Sequence, residues 1–108
     1  MQPVEKRIIT ALIERLESAG YVPTQYYDSV PGDGEYQEVT GATLPERIAS
    51  ALAAVDSTDC GTLHFSPNED GVFFVLGNGI DVISDYHCGD PKFDAVVSAV
   101  SDESESFL

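Results

Sequence analysis

Cys60, His64, His87 and Cys88 supply every thiol and imidazole in this sequence. These side chains are the usual zinc ligands, and a thiolate beside an imidazole is also a nucleophile pair. Their spacing serves neither chemistry. Neither pair has a structural-zinc interval, and the strands expected to hold His64 and His87 flank a third, roughly 9–10 Å apart. Adjacent His87 and Cys88 project to opposite faces of a strand, which hinders the hydrogen bond a nucleophile needs. Cys60 reaches His64 only if a loop folds back. Two free, buried thiols are the expectation, with no metal and no cofactor.

Carboxylates are plentiful, so proximity in sequence selects little. Asp81 and Asp85, four apart on an extended strand, lie about 13 Å apart, beyond the roughly 5–9.5 Å of glycosidase acid pairs. Glu69, Asp70 and Asp81 lack the alternating carboxylates and central glycine of a calcium loop. Gly77-Asn78-Gly79 is not followed by the Lys-Ser/Thr and helix of a phosphate loop, and it reads as a tight hairpin turn. Gly-x-Ser-x-Gly and His-Glu-x-x-His do not occur. The expectation is a chain that is not an enzyme.

Charge is the dominant property. Nineteen acids face five bases, a net charge of −14. The excess is not uniform: residues 1–19 are balanced, whereas residues 48–91 contain no lysine or arginine. Such a field repels nucleic acid and anionic membranes and attracts basic protein surfaces. Direct nucleic-acid binding and membrane binding are therefore not expected. No apolar run is long enough for a membrane span and no secretory leader opens the chain, so a cytoplasmic location is expected.

The elements that must position these groups follow from periodicity. Val4, Ile8, Leu12 and Leu16 recur every four residues, predicting a helix over 3–19 with Pro3 in its first turn and Gly20 after its end. Tyr21–Tyr27 and Tyr36–Thr40 read as an irregular hairpin, with Pro23 favouring an edge strand. Thr43-x-x-Glu46 has capping-box spacing and precedes a second stripe, Leu44, Ile48, Ala51, Leu52 and Val55. Three strands follow in a meander: Thr62–Ser66, the apolar run Val72–Leu76 expected to be covered on both faces, and Ile80–His87. In the last, Asp81, Ile83 and Asp85 are expected on a watered face. Asp90-Pro91 opens a final helix carrying Phe93, Val96, Val97 and Val100. The chain thus reads as one α+β domain over 1–101, an antiparallel sheet packed by helices in the order α-β-β-α-β-β-β-α. Residues 102–108 read as a frayed acidic tail.

On this frame Asp28, Asp33, Glu35, Glu38, Glu69, Asp70, Asp81 and Asp85 are the candidates for an acidic binding surface. Carboxylates two apart on a strand are about 6.6 Å apart, near the interval of phosphates along a nucleic-acid strand. A basic groove would meet them as it meets DNA. The alternative is a structural or accessory domain whose acidity serves solubility or life in high salt. The oligomeric state is open in the sequence.

The segment Gly71-Val72-Phe73-Phe74-Val75-Leu76-Gly77-Asn78-Gly79-Ile80-Asp81-Val82-Ile83-Ser84-Asp85-Tyr86 resembles one in small, acidic, uncharacterised proteins of phages and prophages. In those, a Gly-Asn-Gly turn likewise leads into a Val-Ile-x-Asp-Tyr strand. The likeness covers about a fifth of the chain and carries no catalytic signature. It implies a mobile-element setting, in which small acidic proteins include anti-CRISPR and anti-restriction inhibitors. The expected partner is accordingly a basic site on a host nucleic-acid-handling or defence protein.

Overall fold

The periodic stripe at the start of the chain forms helix α1, Pro3–Ser18, which buries Ile8, Ile9, Leu12, Ile13 and Leu16 completely. The computed structural model describes residues 1–28 and 35–108, with 85–88 as backbone alone. Gly20 takes the positive φ that ends α1, as a residue without Cβ can. Helix α2, Leu44–Asp56, starts at Thr43, whose hydroxyl oxygen accepts from the Glu46 N–H at 3.4 Å. The Glu46 carboxylate accepts from that same hydroxyl at 2.8 Å, so the predicted cap forms as a local pair of side-chain contacts. Helix α3, Pro91–Asp102, is capped by Asp90 accepting from the Phe93 N–H at 2.8 Å.

The strands are β1 Val22–Asp28, β2 Tyr36–Glu38, β3 Cys60–Ser66, β4 Asp70–Val75 and β5 Ile83–Cys88. They form one antiparallel sheet in the order β2-β1-β3-β4-β5. The class is α+β, and the element order differs in detail from the expected one by two 3-10 turns, Gly79–Asp81 and Ser104–Phe107. β1 is an inner strand, yet Pro23 still lacks a neighbour on one side. Among the described residues β2 reaches back only to the Gln25↔Glu38 pair, and a bulge separates Pro23 from Gln25. A residue without an N–H fits there.

All three helices contribute to a single core with one face of the sheet, where Tyr26, Leu63, Phe65, Val72, Phe74 and Ile83 meet α1 and the inner stripes of α2 and α3. Phe93 is the centre of an aromatic group, edge-on to Tyr21 and Phe65 at 5.2 and 5.6 Å between centroids. Gly61 is part of the same fit: a Cβ there would lie 2.3 Å from the Tyr26 hydroxyl, which bonds the Thr58 hydroxyl at 2.7 Å. The acidic end is not a free extension. Ser104 is buried and Phe107 packs on the core, while the Phe107 carbonyl accepts from Arg7 Nε at 2.6 Å.

Two sequence expectations fail around β4 and β5. The apolar run is covered by helices on one face only, since Val72 and Phe74 are buried and Phe73 and Val75 are half-buried on the other. Ile83 is not on a watered face with Asp81. It is buried opposite Phe74 in the core, because β5 starts three residues later than expected and Asp81 belongs to the 3-10 turn.

The reason for that late start is the Gly77-Asn78-Gly79 segment, which is not a two-residue hairpin. Gly77 and Gly79 take φ of 89° and 59°, and the N–H groups of Gly77, Asn78 and Gly79 converge on one Glu5 oxygen, Oε2, at 2.8, 3.0 and 3.2 Å. Glu5 Oε1 accepts from the Gln2 N–H at 2.8 Å, completing a capping box at the start of α1. Successive N–H groups turned inward make an anion nest, and here its anion is a fully buried side chain. Charge-assisted bonds to a buried carboxylate are among the stronger ones. Glu5→Ala is expected to lower unfolding free energy by roughly 2–4 kcal/mol and Glu5→Gln by about half that. Urea denaturation checks this, and a loss near zero for Glu5→Ala would show that water replaces the carboxylate freely.

Candidate interaction surface on the open sheet face

Alternation along the strands puts a second set of side chains on the face away from the helices. Tyr36, Tyr27, Thr62 and Phe73 are cross-strand neighbours in one row, and Glu38, Gln25, His64 and Gly71 lie in the next. Tyr36 is 60% exposed, packs against Tyr27 at 4.8 Å between centroids and lies 6.2 Å from the His64 ring. Gly71 makes room for this row: a Cβ would come within 2.9 Å of Thr62 Cγ2 and 3.5 Å of His64 Nδ1. The result is a flat aromatic surface with glycine beneath the imidazole.

Charge is segregated in the fold more sharply than in the sequence. All five bases, Lys6, Arg7, Arg15, Arg47 and Lys92, lie on the helices. Several are engaged there. Arg47 forks onto Glu17 with Nε and Nη2 at 2.8 and 2.6 Å, tying α2 to α1, and Arg15 pairs with Glu103. Lys92 lies over the Tyr21 ring, 5.8 Å from its centroid. Outside the three helices the described residues include eleven acids and no base.

The eight candidate carboxylates do not form one patch. Glu35, Glu38, Glu69 and Asp81 are exposed. Glu38 pairs with Gln25 on the row that leads to His64 and Gly71, and Glu69 precedes Asp70, so both sit toward the β3–β4 turn. Glu35, Asp28 and Asp81 lie toward the opposite end, where Asp28 pairs with Gly61 and the β4–β5 connection begins. Asp28 is half-buried and engaged. Asp33 lies outside the described residues, and of Asp85 only its backbone place in β5 is described.

Asp70 must be removed from the surface set. It shares parity with Val72 and Phe74 along β4, so its side chain enters the helix-covered side and is only 6% exposed. That parity was visible in the sequence. Oδ2 of Asp70 has no hydrogen-bond partner among the described residues, and Asp90 donates a backbone N–H to the carboxyl. Burial, followed by the nearby Asp90 charge, pushes the Asp70 pKa up. Asp90 moves down instead, held first by the Phe93 N–H and then by the Tyr21 hydroxyl, which lies 2.7 and 2.9 Å from its two oxygens. Burial and then the Asp90 contact push Tyr21 up to about 12. Asp90 is thus committed as a cap, and the pair is a structural feature of the α3 start.

Among the described residues no three His, Cys, Asp or Glu side chains converge to hold a metal ion. Cys60 is a free, half-buried thiol. No described helix is long and apolar enough to cross a membrane. No family model, curated protein or solved structure matches the chain, so its functional reading comes from this surface.

A carboxyl whose folded pKa is raised holds its proton more tightly folded than unfolded, so it withdraws stability as pH climbs above the unfolded value of 3.8. Asp70→Asn is therefore expected to raise the melting temperature at pH 7, with the gain closing as pH falls below about 4. Thermal unfolding of both proteins across that range checks it. A variant destabilised at pH 7 but not below about pH 4 would show instead that Asp70 is needed as a charged group.

Proposed function

We propose that this chain is a non-enzymatic binding protein of phage or mobile-element origin that presents its acidic, aromatic sheet side to a basic site on a host nucleic-acid-handling or defence protein, and so inhibits it. The observation that carries this reading is the segregation of charge: every base is on a helix, and the strands and loops carry acids alone. Acidity that served only solubility or salt tolerance would not need that partition. The exposed Tyr36 and its neighbours add the apolar centre that interfaces use inside a polar rim. The resemblance of Gly71–Tyr86 to phage and prophage proteins supports the setting.

Affinity here comes largely from displaced counterions, so it falls with salt. Immobilised protein in a bacterial lysate at low ionic strength is expected to retain basic nucleic-acid-handling proteins, which excess duplex DNA or rising salt then releases. The double variant Glu38→Lys, Glu69→Lys is expected to retain none of them. Absence of any basic protein from the low-salt eluate, or retention unchanged by the variant, would sink the proposal.

A further inference from the structure

One part of the open face is concave. Thr24, Gln25, Tyr36, His64 and Glu69 line a recess of about 130 Å³, room for roughly four waters at ~30 Å³ each. A guanidinium, with four heavy atoms, is of that size.

The charge of the recess is one-sided. Gln25 directs its amide N–H onto Glu38 Oε1 at 3.4 Å, and Thr24 directs its hydroxyl onto the His64 carbonyl at 3.3 Å. That engages the Thr24 hydroxyl and one Gln25 N–H, which leaves the Gln25 carbonyl oxygen and the Thr24 lone pairs as acceptors beside the second Gln25 N–H, the Tyr36 hydroxyl and an imidazole N–H. The Glu69 carboxylate, at the rim, has no hydrogen-bond or ion-pair partner among the described residues. No lysine or arginine lines the recess. Its walls include two flat rings, Tyr36 and His64, at 6.2 Å and inclined by 39°. The Glu69 carboxylate favours a cationic, donor-rich group, and the two rings favour one flat enough to stack. Arginine meets all three conditions; lysine meets the first two but has no plane to stack. A larger recess, the groove between α1 and α2 floored by Leu44, Ile48 and Leu52, has Lys6 as well as Glu14 at its sides and so lacks such a charge preference.

We propose that this recess is an arginine subsite: it takes the guanidinium of an arginine side chain on the basic partner protein, stacked on Tyr36 and paired with Glu69. This rests on the acidic-surface reading above and sharpens it from net charge to a geometric preference. Stacking on an exposed ring favours arginine over lysine by roughly two- to fivefold in affinity.

The test uses the full chain, ¹⁵N-labelled, titrated at low ionic strength with a capped arginine-glycine peptide and with a lysine-glycine peptide of equal charge. The expected result is tighter binding of the arginine peptide, by the factor above, with shifts concentrated at Thr24, Gln25, Tyr36, His64 and Glu69. Tyr36→Leu, at a 60% exposed position, should abolish the preference for arginine while leaving charge-driven binding, and Glu69→Gln should weaken both peptides. Equal binding of the two peptides with diffuse shifts over the whole sheet side would overturn the subsite and leave the acidic surface standing. Absence of binding by either peptide would overturn both.

Discussion

The carboxylate of Glu5 joins the two ends of the molecule's architecture. Its oxygens collect the first free N–H of α1 on one side and three N–H groups of the β4–β5 connection on the other. Four backbone donors, on Gln2, Gly77, Asn78 and Gly79, share an acceptor because one acid is held there at zero exposure. The nest fixes how the chain leaves β4, that exit sets where β5 begins, and the start of β5 decides that Ile83 points at Phe74. A single side chain thereby sets the register of an edge strand, and with it the shape of the sheet whose other face is open.

Much of the frame was legible before any coordinates. The α1 stripe, the capping residues Thr43 and Asp90 and the meander of three strands all came from local rules of period and capping, and those rules describe contacts close in sequence. What was not legible was long-range. The partner of Gly77-Asn78-Gly79 is 72 to 74 residues away, and a short Gly-Asn-Gly run looks the same whether it closes a hairpin or cradles a carboxylate. Val72–Leu76 read as covered on both faces because apolar character alone does not say which face the helices cover. Asp70 is the instructive residue: counted by charge it belonged with the surface acids, counted by parity it belonged with Val72 and Phe74, and parity governed.

The surface has the same mixture. The acidic excess after Gly20 was plain in the sequence, but its separation from the bases depends on the bases lying on helices and the helices lying on one side of the sheet. The aromatic row required the β2–β1–β3 register, which brings Tyr36 beside Tyr27 and near His64 from three different strands. Gly71 completes it by leaving the imidazole somewhere to lie. Arg47, by contrast, is absorbed by Glu17, so one of the few cations holds two helices together instead of neutralising the rim.

An uncovered sheet face that carries the exposed ring of Tyr36 on its edge strand would also be adhesive toward itself. Two copies laid face to face would bury their aromatic rows, as sheet sandwiches do, were it not that each also brings Glu38 and Glu69 and a share of the −14 charge to the same meeting. The Debye length shrinks from about 30 Å at 0.01 M salt to about 3 Å at 1 M, so that mutual repulsion is strong in dilute buffer and nearly gone in brine. The rim acids would therefore oppose such pairing most where the surrounding electrolyte is thin.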